Sequence, residues 1–309
     1  MNDKIVRVML LMFIIAAAVL GPRVSLGWAQ IASPPPADHP EVTVHGRKFT
    51  PRSILARNMG TPEDQTAQFP PHKIIGNLYY VGTRTLSSFL IVTSQGNILI
   101  NSTYERNVQT IEKSVEQLGF KFSDIKILLG THAHGDHQEG DALMKQLTGA
   151  QTMAMGEDVP ALQAITPGGK EHPIDKTLHD GETVTLGGTT LTAHLTPGHT
   201  RGCTTWTMKA QESGKNYNVV IGCSLRPPST LTPEVLTEFS HSFPLVRSLA
   251  CDVPLGDHPA QYNLEEKYAK LQKGVRNPFI DPDGCTYEVD IEETMFHALL
   301  DEQQNAGGH

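Results

Sequence analysis

The segment Thr131-His132-Ala133-His134-Gly135-Asp136-His137 packs three imidazoles and a carboxylate into the stretch from His132 to His137. Nitrogen and carboxylate donors at this density suit a borderline divalent metal such as zinc. The apolar run Ile125 to Leu129 just before it reads as a buried strand. The end of such a strand aims His132 and His134 to one side, while Asp136 and His137 turn toward a second point nearby. One segment cannot close two metal sites. Two more imidazoles are on offer, each in a loop beyond a strand-like stretch. They are His199 in Thr196-Pro197-Gly198-His199-Thr200 and His258 in Asp257-His258-Pro259. With them the donors form two sets of three. Three protein ligands and an open position describe a catalytic zinc site, whereas a structural site is closed by four.

The elements that must carry these loops follow from periodicity. Residues 74–81 and 87–92 read as strands, and Ser94-Gln95-Gly96-Asn97 turns into Ile98-Leu99-Ile100. Val108, Ile111, Val115 and Leu118 recur at helical spacing, with Gly119 suited to the helix end. Residues 139–147 and 158–165 also read as helices. A second half starts near Glu182 with a hairpin, Thr183 to Leu186 and Thr189 to Leu195 about Gly187-Gly188. A further hairpin runs from Cys203 to Cys223 about Glu212-Ser213-Gly214-Lys215. Helix, short strand (residues 253–255) and helix follow, ending in a C-terminal helix over residues 289–303. Hairpins and then helices, twice over, predict two packed sheets with helices outside.

The chain has 309 residues and a formal net charge of -8. Lys4 and Arg7, the apolar stretch Val8 to Leu20, and the small residues Gly27 and Ala29 read as a secretory signal over residues 1–29. An uncleaved membrane anchor is the alternative. Removing the segment leaves an even more acidic protein without a Lys/Arg stripe, which argues against nucleic-acid partners. Residues 30–70, with Pro34-Pro35-Pro36, read as an N-terminal arm, and residues 71–309 as one catalytic domain. Export permits disulfides. Folding the hairpin about Ser213 sets Cys203 opposite Cys223, either as a bridge or as two buried thiols; if they bridge, Cys251 and Cys285 form the second pair.

The His-x-His-x-Asp-His run, the Pro-Gly-His-Thr turn and the late Asp-His-Pro together resemble the metallo-β-lactamase superfamily, from about Lys73 onward. Within it the chain resembles class B β-lactamases of the third subclass. Where many superfamily hydrolases place a metal-bridging aspartate, this chain has Ile221-Gly222-Cys223-Ser224-Leu225, with no carboxylate. A Ser-Leu pair there is similar to the third subclass, as is the late Cys251…Cys285 region. A register that makes Cys223 a metal ligand is the weaker reading. The chain departs from the subclass pattern at Arg226, where a serine often sits, and at Thr230, where some members have a tyrosine.

The resemblance implies an α/β fold, a four-layer αββα sandwich of two mixed sheets flanked by helices. It implies two zinc ions, one on His132, His134 and His199, the other on Asp136, His137 and His258. It implies hydrolysis of the β-lactam ring by a metal-bound hydroxide that Asp136 orients. Ser224 and Arg226 are candidates for the substrate carboxylate. The expected protein is a periplasmic monomer with a small-molecule β-lactam substrate and no stable membrane insertion. A di-zinc hydrolase of a lactone or thioester, or a zinc-binding protein without turnover, are the alternatives. His194 reads as a group orienting a ligand or as a hydrogen-bonded core histidine. His39, His45, His172, His179, His241 and His297 show no ligand spacing and read as surface residues.

Overall fold

Residues 37–307 are described by a computed structural model; the expected signal over residues 1–29 lies outside them. The described chain begins with a small hairpin, β1 (Val42–Val44) and β2 (Arg47–Phe49), and a helix, α1 (Pro51–Met59). Thr50 starts α1 through a capping box with Ser53, and Pro51 occupies its first turn, where no N–H is needed. Val42, Val44, Phe49 and Ile54 are too few to form a core of their own. They bury against Ile291 and Met295 of the C-terminal helix.

The first large sheet has seven strands in chain order. These are β3 (His72–Ile75), β4 (Leu78–Tyr80), β5 (Phe89–Thr93), β6 (Gly96–Ile100), β7 (Ile125–Leu129), β8 (Gln151–Met155) and β9 (Lys176–Leu178). Residues 74–81, read as one strand, in fact form a hairpin, because Gly76-Asn77 turns the chain between β3 and β4. The first four strands are antiparallel. From β6 to β9 the pairing is parallel. The crossovers are α2 (Val108–Gln117), α3 (Gly135–Gln138) with α4 (Asp141–Thr148), and α5 (Val159–Leu162). The helix expected over residues 139–147 is thus preceded by a separate short turn, α3, that carries Asp136 and His137.

The second sheet has five strands, β10 (Thr183–Leu186), β11 (Thr189–Leu195), β12 (Thr204–Glu212), β13 (Lys215–Gly222) and β14 (Val253–Gly256). Only β13 and β14 pair in parallel. Ser213 and Gly214 both have positive φ, 51° and 79°, as a two-residue hairpin turn requires. That turn pairs Glu212 with Lys215, so the register continues to Cys203 opposite Ser224, one residue away from the expected Cys203–Cys223 match. The bridge is therefore diagonal, beyond the strand ends. Cys203 is bonded to Cys223 and Cys251 to Cys285, and no free cysteine remains among the described residues.

Alternation places the core. Ile98, Ile100, Ile127 and Leu129 face Ala193, Trp206, Met208, Val219 and Ile221 between the sheets. The opposite faces of β6 and β7 (Leu99, Ile125, Leu128) pack on Val108, Ile111 and Val115 of α2 and on Met144 of α4. Burying each such side chain contributes roughly 1.5–3 kcal/mol. Helices α6 (Pro233–Ser248) and α8 (Tyr287–Gly307) pack on each other through Phe239, Phe243 and Phe296, and Val246 and Val289 line one pocket with Val220 and Pro254 of the second sheet. A nine-residue helix, α7 (Leu264–Gln272), lies between β14 and α8 in the chain. Helix, sheet, sheet, helix is the αββα order expected. Among the described residues no helix is long and apolar enough to cross a membrane.

Candidate metal centre

The strands end on one rim, and the donors sit in the loops beyond them. Gly130 follows β7, and its carbonyl accepts from Trp206 Nε1 at 2.9 Å. Asn101 Oδ1, beyond β6, accepts from Thr131 N at 2.9 Å. The Pro197–Thr200 turn needs Gly198, whose φ is +132° and where a Cβ would lie 2.8 Å from the Phe239 ring. Asp158 joins the two loops. Its carboxylate accepts from Ala133 N (2.8 Å), Gly202 N (2.7 Å) and Thr200 Oγ1 (2.9 Å).

Three-donor groupings with ligand atoms within 4.8 Å of one another include two that share no residue, His132, His134 and His199, and Asp136, His137 and His258; another, His132, His137 and Asp257, draws one histidine from each. The ring contacts His132–His137 (4.2 Å) and His137–His258 (4.9 Å) run across and within them. Hydrogen bonds on the far sides of the rings fix which nitrogen faces inward. His199 Nδ1 lies 2.9 Å from the Arg226 carbonyl, and His258 Nδ1 lies 2.9 Å from the Thr85 carbonyl. A carbonyl only accepts, so both Nδ1 atoms carry the proton and both Nε2 lone pairs are free. His132 Nδ1 is 3.3 Å from the Asp257 carboxylate, leaving its Nε2 to face His134 Nδ1 at 2.9 Å.

Metal binding needs neutral imidazole and ionised carboxylate, and every donor of the two clusters but His137 is shifted that way. Burial pulls His132 down to about 3, with repulsion from His137 and His134 adding to it and Asp257 opposing. Burial also lowers His134, His199 and His258. Burial works against the charged form of Asp136 as well, but its His137 and His258 neighbours hold the carboxyl well below the usual range. For His137 burial favours the neutral ring, and the Asp136 carboxylate outweighs it and raises the pKa.

His137 supplies an independent test of whether a metal fits. Its ring is fully buried, yet neither nitrogen has a hydrogen-bond partner; Nε2 is 3.2 Å from Asp136 Oδ2 without forming a hydrogen bond. Such a group is costly to bury unless something else engages it. A divalent cation on Asp136, His137 and His258 does so. A fourth grouping, His132 with Cys203 and Cys223, offers no thiolate because the two sulfurs are bonded to each other. Cys223 is therefore no metal ligand.

The clusters open into a cleft of about 170 Å³. Leu55, Asn58 and Met59 of α1 form part of its wall, together with Ser224 and Arg226. The Ser224 hydroxyl is buried, donating to Asp257 Oδ1 (3.0 Å) and accepting from Gln261 Nε2 (3.2 Å). Arg226 is half-buried at the rim.

The chain matches the sequence profile of the metallo-β-lactamase superfamily over residues 81–211. It is 47% identical to the FEZ-1 metallo-β-lactamase from Legionella gormanii, covering 77% of this chain and 98% of that one, with a TM-score of 0.74. The chain belongs to the metallo-β-lactamase superfamily. Its place within it is subclass B3. The subclass B3 metallo-β-lactamase BJP-1 of Bradyrhizobium japonicum is 34% identical over 79% of this chain and 98% of its own, with a TM-score of 0.72. A class B3 di-zinc metallo-β-lactamase, LRA-12, from an Alaskan soil metagenome is 29% identical over 77% of this chain and 97% of its own, with a TM-score of 0.72.

Within this metallo-β-lactamase fold, some residues lie elsewhere than the sequence suggests. His194 takes the second of its two readings, a hydrogen-bonded histidine away from the metal clusters. It lies on the face of β11 opposite Leu191 and Ala193, half-buried, with Nε2 2.8 Å from Thr207 Oγ1. His172 is not a surface residue: it is buried, 3.3 Å from Asp141. Asp257 and Asp158 were missed as site residues. Asp257 adjoins His258 and accepts from Ser224 N at 2.7 Å, so adjacency was its only signal. Asp158 stands 25 residues from Ala133, and no local pattern marks it. Neither does any pattern mark α1.

Proposed function

We propose that this chain is an exported di-zinc β-lactamase that opens the β-lactam ring of antibiotics. The observation that carries the reading is the pair of three-donor clusters opening on one cleft. His132, His134 and His199 would hold the first zinc, and Asp136, His137 and His258 the second. The resemblance to proteins named metallo-β-lactamases, one of them described as di-zinc, supports both the metal and the substrate class. Bound zinc would supply Lewis-acid polarisation of the scissile carbonyl and of an attacking water.

The chain's own residues do the rest. The Thr85 and Arg226 carbonyls and the Asp257 carboxylate hold three imidazoles in the ligand tautomer. Asp136 keeps a charged carboxylate at the cleft, able to accept and orient a water proton. Leu55 and Met59 exclude solvent from one side. Arg226 places a guanidinium at the rim for the carboxylate that β-lactams carry. Ser224, already bonded to Asp257 and Gln261, supports the floor of the site rather than attacking substrate. The two disulfides fit an oxidising compartment. With the secretory pattern of residues 1–29, they support a periplasmic location. We assign a monomer.

Nitrocefin hydrolysis tests the reading. Turnover should vanish with a chelator and return with zinc, with two zinc ions bound per chain. Cleavage of a lactone or thioester without nitrocefin turnover would replace the substrate class. Tight zinc binding without any turnover would remove the activity.

A further inference from the structure

A second cleft of about 400 Å³ is lined by Arg47, Arg57 and Arg84, together with Pro259 and Ala260, which follow His258 in the chain. Its guanidiniums come from three elements: β2, α1 and the β4–β5 loop. Arg57 is held in place by its neighbours. Its Nη2 donates to Glu288, its Nε donates to Asn58 Oδ1 at 3.1 Å, and its guanidinium lies over the Phe49 ring. Its remaining Nη1 is buried and has no acceptor. Thr85, which also lines the cleft, has a buried Oγ1 without a partner. Both atoms are closed off from solvent behind the cleft wall, so the groups offered to a ligand are the accessible parts of the arginines that line the cleft.

The charge around the cleft points to that ligand. Arg47 bonds only the Tyr287 hydroxyl, at 3.2 Å, and no carboxylate among the described residues pairs with it. Arg84 reaches Asp64 only at 3.5 Å. Glu265 and Glu266, in the first turn of α7, oppose an anion, but Glu266 is engaged by Lys270 at 2.8 Å. Guanidinium forks match the oxygen geometry of phosphate. We propose that this cleft binds a small dianionic oxyanion of the phosphate class, separate from the metal centre, and that the bound anion clamps α1 in place. The clamp reaches the metal cleft through two shared elements. Arg57 lies on the same helix as Leu55, Asn58 and Met59, and the Thr85 carbonyl holds His258.

Calorimetric titration of the zinc-loaded full chain with inorganic phosphate tests this, using glycerol 3-phosphate to distinguish a free ion from a monoester. Phosphate also has affinity for zinc, so variants separate the sites. Binding should persist in His199→Ala and weaken at least tenfold in Arg47→Gln/Arg84→Gln. Phosphate should raise the Tm of the wild type but not of the double variant, whose hydrolysis in phosphate-free buffer should be unchanged. If the double variant folds poorly, Arg84→Gln alone should show part of the loss. An identical isotherm in the arginine variants, or loss of all phosphate binding in His199→Ala, overturns the proposal. None of these readouts depends on which substrate the enzyme opens.

Discussion

Asp257 adjoins both donor clusters of the candidate metal centre, grouped with His132 of one and His137 of the other. It is fully buried, accepts two bonds from Ser224 and sits beside His132. Burial opposes its charge, yet its bonding with His132 and the neighbouring His137 and His258 hold its pKa well down. In Asp257→Asn the shape is kept and the charge facing His132 is lost. Zinc affinity at the His132 cluster should fall about 10–100-fold, read by chelator competition; an unchanged affinity would make Asp257 a packing residue only. Arg226 makes the opposite prediction. Its backbone carbonyl, which any side chain retains, holds His199, so Arg226→Ala should spare kcat. KM for carboxylate-bearing β-lactams should rise several-fold, and an unaltered KM removes Arg226 from substrate binding.

At the scale of elements, Asp158 couples the loop after β7 to the turn after β11. Asp158→Ala strands the N–H groups of Ala133 and Gly202, at about 1–3 kcal/mol for each unsatisfied donor. Melting temperature and zinc affinity should fall together, and a lower Tm with intact affinity would confine Asp158 to stability. This coupling also shows what a sequence can and cannot display. His132 to His137 is legible because its chemistry is contiguous and follows an apolar strand. His199 and His258 are legible because each ends a strand-like run. The β12–β13 hairpin was placed one residue out of register because Ser213 and Gly214 form a two-residue turn, set by backbone dihedrals rather than composition. Asp158 and α1 gave no signal because their partners lie far along the chain. Residues 42–54 look like an arm since their few apolar side chains find company only at Ile291 and Met295.

The molecule as a whole carries a buried charge cluster beneath α8. Glu292 is fully buried, and neither of its oxygens has a hydrogen-bond partner. Burial first, then the nearby Glu288 carboxylate, push its pKa up to about 8, against the pull of Arg57 and Arg226. Its unfolded pKa is near 4.5, so folding takes up a proton between these values. The contribution is fully present below pH 4.5 or so and is lost as pH rises through about 8. Glu292→Gln should therefore flatten the decline of Tm across this window and raise Tm most at its alkaline end; parallel Tm curves would show that Glu292 does not titrate there. The docking of the first hairpin and α1 on α8 has a further consequence, for biogenesis. Ile54 rests on Ile291 and Met295, far along the chain, so the wall formed by Leu55 and Met59 cannot seat until that distant segment has emerged and folded. A translocated chain that took up metal before this contact formed would present an open basin, and confinement of the substrate would be the closing act of maturation.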